Sequence, residues 1–419
     1  MRLIGNRKGV ALMLVLSAIT VLTMVGVEFA YNTSVYYNLV QNEADRLKAY
    51  YLARSAYNFM RLELKFNQTF QQVVKSQNLG QYLGANAQLP LCQQFPLSTG
   101  LIRAVFIEGA IPGMDGEEEG EASEAIEEMR RDASISQGKQ AEEFLSFDGD
   151  FDGECEDEGT KIDLNGFFGL SKESSSDGLP SPFDRYKQFL YRFMSEPRFG
   201  LLFESAGVRV LDVVNSIGDW VDADAQADDF EGRSAGAEIS RYESAQVPYQ
   251  IRNGKLVTLM EAYLIDGVVD DWFGPMMDYF TIYGGAGVNV CTASEEVVQG
   301  VIRAYLDANP EIPPMRLEDP AEMERLLSAI AEACASGKSG DDLKNEMNTA
   351  MAAAVGELSG GQTGATVQVP FASFVSTESK VFSLKLGGQV GEITVRIKAV
   401  VDTSGGEPSK WRLLYWRVY

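Results

Sequence analysis

The chain has 419 residues, which is enough for two or three domains with hydrophobic cores of their own. It contains no histidine, and this excludes a Ser/His/Asp triad, a Cys/His pair and a His-ligated zinc site within the chain. Sixty acidic against 36 basic residues give a formal net charge of −24, which argues against binding to nucleic acid phosphates. We therefore expect neither an enzyme nor a nucleic-acid-binding protein.

The first apolar segment follows a short basic head. Arg7-Lys8 precede Gly9, and the run from Val10 to Val27 is almost entirely apolar. An ordinary secretory signal carries its cleavage site after the apolar core, whereas here the small residue stands before it. The arrangement resembles the leader of type IV prepilins and pseudopilins. That resemblance implies cleavage between Gly9 and Val10 by a prepilin peptidase, with residues 10–30 kept as a membrane-spanning helix. A plain signal anchor or an uncleaved signal peptide is the alternative.

The segment after the membrane span predicts a continuation of the same helix. No glycine or proline occurs between Gly26 and Gly80. Apolar residues recur at steps of three to five, as one face of a helix requires, at Leu47, Tyr51, Ala56, Phe59, Leu62 and Phe66. We predict one spine helix over 10–66, about 85 Å long at 1.5 Å per residue.

Two regions follow with different patterns. Residues 161–350 predict an all-α domain, and residues 113–160 an acidic linker or loop. Alternating or extended segments at 101–107, 371–376, 380–386, 392–401 and 411–419 predict strands, with Gly387-Gly388 as a turn. The predicted fold class is α+β: a spine helix packed on a small antiparallel sheet from 67–112 and 365–419, with the helical domain inserted.

Two acidic clusters are candidate calcium sites. Carboxylates alternate at Asp148, Asp150, Asp152 and Glu154, with Gly153 at the sixth position of an EF-hand-type loop. The twelfth position is Gly159 instead of a bidentate glutamate, which makes this the weaker candidate. The second cluster follows a helical segment and contains Asp219, Asp222, Asp224, Asp228, Asp229 and Glu238. For both clusters, a solvated acidic loop without an ion is the alternative.

Four cysteines are an even number, as expected of a chain that faces an oxidising compartment: Cys92, Cys155, Cys291 and Cys334. They allow three pairings. We expect Cys92 with Cys155 and Cys291 with Cys334, while free buried thiols remain open.

Several segments together resemble one family, the minor pseudopilin K of the type II secretion system, also called general secretion pathway protein K. Most pilins carry glutamate at the fifth residue after the cut, and this family, like this chain with Leu14, does not. Further segments match in order: Glu28-Phe29-Ala30-Tyr31 with Tyr51-Leu52-Ala53, Lys161-Ile162-Asp163-Leu164-Asn165, Gly218-Asp219-Trp220-Val221-Asp222-Ala223-Asp224 with Gly236-Ala237-Glu238 and Tyr242, and Val288-Asn289-Val290-Cys291-Thr292-Ala293-Ser294.

The resemblance implies a structural role and a location. The chain would have a pilin-like head and would cap the tip of the pseudopilus with the minor pseudopilins I and J, its insertion facing the secretin or the secreted cargo. It would be a single-pass protein of the inner membrane with its bulk in the periplasm. Structural calcium would be bound first by Asp222, Asp224 and Glu238, with Asp219, Asp228 and Asp229 as helpers. A calcium-dependent, membrane-tethered periplasmic binding protein or adhesin is the alternative.

Overall fold

The computed structural model describes residues 7–77, 89–103, 147–174, 179–228, 234–243, 248–313, 315–317, 319–358 and 367–419. The described helices are α1 (Arg7–Gln77), α2 (Leu91–Gln94), α3 (Thr99–Arg103), α4 (Pro182–Met194), α5 (Gly200–Ala206), α6 (Val210–Val221), α7 (Ile239–Glu243), α8 (Asp270–Met276), α9 (Glu295–Asp307), α10 (Pro320–Ala335) and α11 (Gly340–Leu358). The strands are β1 (Leu97–Ser98), β2 (Asp150–Asp157), β3 (Ile162–Asp163), β4 (Gln226–Asp228), β5 (Ser234–Ala237), β6 (Phe280–Thr281), β7 (Val381–Val390), β8 (Ile393–Asp402) and β9 (Arg412–Val418).

Helix α1 confirms the predicted spine and continues beyond Phe66 to Gln77, so that its 71 residues span about 105 Å. The absence of glycine and proline up to Gly80 allows this extension. Its two halves differ in their surroundings. Residues 9–44 are all exposed, whereas Ala49, Ala53, Ala56, Met60 and Leu64 are buried against the head. The first half therefore buries none of its residues against the head.

The sheet under α1 has five antiparallel strands in the order β1-β2-β7-β8-β9. Its inner face packs on the spine through a hydrophobic core that includes Met60, Phe151, Leu384, Leu386 and Ile397. Strands β7 and β8 are the longest, with ten residues each, because alternate positions on both are apolar and face α1. The predicted α+β class, a long helix on an antiparallel sheet, is confirmed.

The insertion between β2 and β7 has its own core. Its largest fully buried side chains include Trp220, Trp272, Tyr305, Phe193 and Phe273. The insertion is attached to the sheet by two buried carboxylates at the end of β2. Asp157 accepts hydrogen bonds from the Ser379 hydroxyl beside β7 and from the Asn289 amide of the insertion, and Glu158 accepts hydrogen bonds from Ser383 of β7 and Thr281 of the insertion. The helical region continues past the predicted end at residue 350 to Leu358, and Val369, Phe371, Phe374 and Val375, which were predicted as part of the head, pack in the core of the insertion.

Three local predictions are wrong. The predicted strand 101–107 begins as helix α3, because Thr99 turns the chain after β1 and its hydroxyl bonds Phe151; residues 104–107 lie outside the described part. Residues 371–373 form a 3₁₀ helix after Pro370 instead of a strand. Gly387-Gly388 do not turn but continue β7: a side chain on Gly388 would meet the backbone of α1, and one on Gly387 would meet the Asp152 carboxylate of β2.

The proposed EF-hand-type loop is also corrected. Residues 150–157 form β2, paired along its length with β7, and Asp150, Asp152 and Glu154 are exposed on one face. Alternate residues of a strand are about 6.6 Å apart, so their carboxylates do not converge on one ion as those of a loop do. The alternation of charge with Phe151 and Gly153 is that of a half-buried strand. Part of the predicted acidic linker 113–160 therefore belongs to the sheet, while residues 104–146 lie outside the described part.

Both expected disulfides are present. Cys92 on α2 is bonded to Cys155 on β2, with Cα atoms 5.8 Å apart, and Cys291 is bonded to Cys334 on α10, with Cα atoms 5.5 Å apart. The first ties the segment after α1 to the sheet. The second lies within the insertion.

Candidate metal centre

Three buried carboxylates meet at the end of α6. Asp219 lies in the last turn of this helix, and Asp222 follows its end, where its N–H still bonds the Gly218 carbonyl. The chain then forms the β4–β5 hairpin, which returns it so that the Glu238 N–H reaches the Ala225 carbonyl. Helix spacing brings Asp219 and Asp222 to one side. The hairpin adds a carboxylate that is distant in sequence.

The cluster has the dimensions of an ion site. One carboxylate oxygen from each of Asp219, Asp222 and Glu238 lies within 4.8 Å of the others. Asp219 and Glu238 are 1% exposed and Asp222 is 5% exposed. Since buried like charges repel strongly unless a cation or protons neutralise them, three such groups require compensation.

The pKa values reflect this crowding. Burial, followed by repulsion from Asp222, Asp219 and Asp224, raises the pKa of Glu238 to about 8. Burial also raises the pKa of Asp222, although Lys172 opposes the shift. The cluster is therefore short of positive charge.

Lys172 supplies part of that charge from one side. Its Nζ lies 2.8 Å from Asp222 Oδ2 and 2.6 Å from Asp224 Oδ2. The pKa of Asp224 is lowered: burial raises it, but the hydrogen bonds from Lys172 and the Gln226 N–H outweigh the burial. Asp224 is thus engaged with a lysine at the rim, half exposed, and is not a member of the buried group.

Of the three carboxylates, Glu238 indicates a cation site most directly. Both of its carboxylate oxygens are buried, and neither has a hydrogen-bond partner among the described residues. A buried carboxylate without partners costs several kcal/mol. The buried Asn253 Oδ1 is likewise unpartnered in the described chain, and its amide nitrogen bonds the Asp224 carbonyl. Carboxylate and amide oxygens in a loop are the ligands that Ca²⁺ takes, so the residues present fit a hard divalent cation.

The structure thus brings together only part of the predicted ligand set. Asp222 and Glu238 meet as expected, and Asp219, predicted as a helper, is one of the three central groups. The Asp228 side chain and Asp229 lie outside the described residues. Lys172 and Asn253 were missed, because nothing in the local sequence links either of them to this loop.

The predicted processing site, between Gly9 and Val10, lies near the start of the spine helix. Gly9 and Val10 are within the first turns of α1, and both are exposed. In the described chain, α1 is the one helix long and apolar enough to cross a membrane.

The fold and site together define a class: a protein with one candidate membrane-spanning helix, a small antiparallel head on that helix, and an inserted helical domain with a buried carboxylate cluster. No family model matches the chain, and no curated protein sequence matches it. Among solved structures, it is similar to a chain of the GspK-GspI-GspJ complex from the type 2 secretion system of enterotoxigenic Escherichia coli. The two chains are 13% identical with a TM-score of 0.38, over 65% of this chain and 80% of that chain.

Proposed function

We propose that the chain is a structural subunit, a minor pseudopilin that caps the tip of a type II secretion pseudopilus. The observation that carries the proposal is the asymmetry of α1. In its first half, the apolar segment from Val10 to Val27 follows Gly9 and is exposed throughout, and its second half supports a folded head. A helix of this kind can lie in a bilayer before assembly and beside neighbouring spines after it.

Leu14 supports an end position. In a filament, an acidic residue near the new amino terminus can neutralise the terminal amine of the neighbouring subunit inside the membrane, and a carboxylate in lipid needs such a partner. Leu14 has no charge to offer. The size of the insertion supports the same position, because its core extends from Ile162 to Val375 and forms a bulky domain beside the sheet.

The exposed side of α1 supports a role for helical partners. Large apolar side chains remain more than half exposed well beyond the candidate membrane span, at Tyr36, Leu39, Leu47, Tyr51 and Phe66. A soluble helix that met no partner would carry polar residues there. The partners that suit this surface are the spines of the minor pseudopilins I and J. The secretin and the secreted cargo would meet the insertion.

A structural calcium ion is part of the proposal. Asp219, Asp222 and Glu238 would hold it, with Asn253 as a candidate fourth ligand, and the ion would fix the β4–β5 hairpin to the end of α6. Its positive charge would stabilise three carboxylates that repel one another without it.

Cleavage after Gly9 distinguishes the proposed pseudopilin from a simple membrane-tethered binding protein or adhesin. The full chain is expressed with its prepilin peptidase, and the amino terminus is read by mass spectrometry. We expect the mature chain to begin at Val10, and Gly9→Phe to leave the leader attached. Gly26→Phe, within the same apolar helix, is the matched control and should be cleaved normally. An intact leader in the wild-type chain would refute the proposal.

A further inference from the structure

Among the described residues, β9 is the last strand of the sheet, and no further strand pairs with its outer edge. The Arg396 N–H bonds the Tyr419 carbonyl and the Tyr419 N–H bonds the Arg396 carbonyl, so these two residues form a hydrogen-bonded pair. The next pair along, Ile397 with Val418, is therefore non-hydrogen-bonded, and the backbone N–H and C=O of Val418 point away from β8. Trp416, opposite Ala399, is likewise in a non-hydrogen-bonded pair, so its backbone N–H and C=O also point away from β8. Outward backbone groups of this kind are a template for another strand.

On the outer face of the sheet, the two strands at this edge, β8 and β9, carry basic side chains, whereas β2, two strands further in than β8, carries the acidic Asp152 and Glu154. The cross-strand register places Lys385 opposite Lys398 and Lys398 opposite Arg417, while Arg396 lies two residues from Lys398 on the same face. All four side chains are exposed. Like charges directly opposite each other destabilise a sheet. Lys385 approaches Glu156 at 3.9 Å, but Arg396, Lys398 and Arg417 form no ion pair with any described residue. In a chain of net charge −24, this is a local excess of positive charge.

The inner side of the same edge is largely apolar, although the charged Glu43 and Arg46 also line it. A groove of about 480 Å³ lies between α1 and the end of β9, and its lining includes Leu47, Tyr50, Val395 and Val418. Leu413 and Val418 are 49% and 44% exposed. A strand added to β9 would therefore place alternate side chains on an apolar groove and on a basic face.

A membrane surface does not suit the basic face. Gly388 lies against Ala53 of α1. Arg396 and Lys398 pair with residues of β7 that lie further from the membrane than Gly388 does. Ala53 is about 35 Å beyond Ala30, the end of the predicted membrane span, at 1.5 Å per residue. Electrostatic attraction to lipid headgroups is screened over about 8 Å at physiological salt.

We propose that β9 is a docking edge for an extended segment of another protein whose residues alternate between apolar and acidic. The segment adds as a sixth strand. Its backbone pairs with Trp416 and Val418, its acidic side chains face Arg396, Lys398 and Arg417, and its apolar side chains enter the groove beside Leu47. Backbone pairing provides affinity, and the two faces provide specificity. This inference does not depend on the pseudopilin assignment, which rests on α1.

The probe for the test is a fluorescent peptide of about ten residues, a typical strand length, that alternates valine and glutamate. Its binding to the full chain in detergent is followed by fluorescence anisotropy. Two control peptides alternate valine with lysine, or carry the same valines and glutamates in separate blocks. We expect only the alternating acidic peptide to bind, more weakly as salt rises, and the amides of Trp416 and Val418 to gain protection from hydrogen exchange. Equal binding of all three peptides would overturn the proposal.

Two sets of variants test separately how the basic side chains and the backbone hydrogen bonds contribute to peptide binding. The charge-reversing pair Lys398→Glu and Arg417→Glu should weaken binding by roughly tenfold or more, whereas Arg209→Glu, an exposed residue of the insertion, should not. Val418→Pro removes one outward N–H at an edge where proline is tolerated, and it should abolish binding, while Val418→Ala keeps the N–H and most of the binding. Thermal melting checks that each variant is folded. Undiminished binding to folded Val418→Pro would also overturn the proposal.

Discussion

Gly388 of β7 lies directly against the backbone of Ala49 on the spine helix. A Cβ built on Gly388 would fall 2.1 Å from the Ala49 carbonyl oxygen and 2.5 Å from the Ala53 nitrogen. Ala49 and Ala53 are themselves fully buried. Three small residues thus set the distance between helix and sheet, and this contact fixes the head on the spine.

Gly388→Ala should therefore destabilise the head. Because the neighbouring atoms are backbone, they cannot move aside as a flexible side chain would, and we expect a loss of about 2–3 kcal/mol or more in the free energy of unfolding. Urea unfolding of the head from about residue 31 onward measures it, since residues 9–44 make no buried contact. Gly200→Ala is the control, with nothing within 4 Å of its Cβ. Equal stability of the two variants would contradict this account of the contact.

Removal of the disulfide in the insertion should cost stability without changing the fold. Cys291 and Cys334 are 43 residues apart, and closing a loop of that length lowers the entropy of the unfolded chain by the equivalent of about 4 kcal/mol. The double variant Cys291→Ser and Cys334→Ser should lose about 2–4 kcal/mol in urea unfolding. Reduction of this disulfide should lower the free energy of unfolding of the wild type by a similar amount. The variant has no Cys291–Cys334 bond to lose. A variant as stable as the oxidised wild type would show that the bond is not formed.

Glu63 on the spine gives the head a pH dependence. Burial raises the pKa of Glu63 to about 7, and its Oε2 is buried without a hydrogen bond among the described residues. The folded state therefore holds a proton that the unfolded state releases near the ordinary pKa of 4.5, so stability falls as pH rises from about 4.5 to 7.

Glu63→Gln should remove that fall. At pH 8 the variant should be more stable than wild type by on the order of 1–3 kcal/mol, and at pH 4 the two should be equal. Urea unfolding at both pH values measures the difference, with Glu43→Gln on the exposed part of α1 as the control. A stability difference for Glu63→Gln that does not change with pH would show that Glu63 ionises normally in the fold.

Calcium should stabilise the insertion through the buried cluster. With Ca²⁺ at 100 times its dissociation constant, mass action adds about 2.7 kcal/mol to the free energy of unfolding. Glu238→Gln and Asp222→Ala should each abolish the calcium-dependent rise in melting temperature. Asp152→Asn, on the exposed face of β2, should keep it. The same calcium response in Glu238→Gln as in wild type would exclude this site.

The sequence predicted the elements whose signals are local. A helix free of glycine and proline, and the alternation of Ile393, Val395 and Ile397, each define one element, and both are confirmed. The cluster was predicted only in part, because the partners that decide it come from elsewhere in the chain. Lys172 draws Asp224 to the rim, and no pattern near either residue indicates that contact.

The error at Asp148 to Glu154 has the same physical origin. Alternating carboxylates suit both a calcium loop and a half-buried strand, and only pairing with β7 distinguishes them. Likewise, Gly387-Gly388 are typical of a turn in sequence, yet the nearness of α1 makes glycine at position 388 a requirement of the strand.

A role at the pseudopilus tip requires assembly with the minor pseudopilins I and J, and co-purification measures that assembly. The tagged head, from about residue 31 onward, is mixed with the heads of both partners, and size exclusion with light scattering gives the mass of each species. We expect a stable ternary complex with one copy of each chain. The complex should be lost when Leu62→Glu and Phe66→Glu place charges on the exposed side of α1, and it should be retained in Arg209→Glu. If the head elutes as a monomer in every mixture, the account is contradicted.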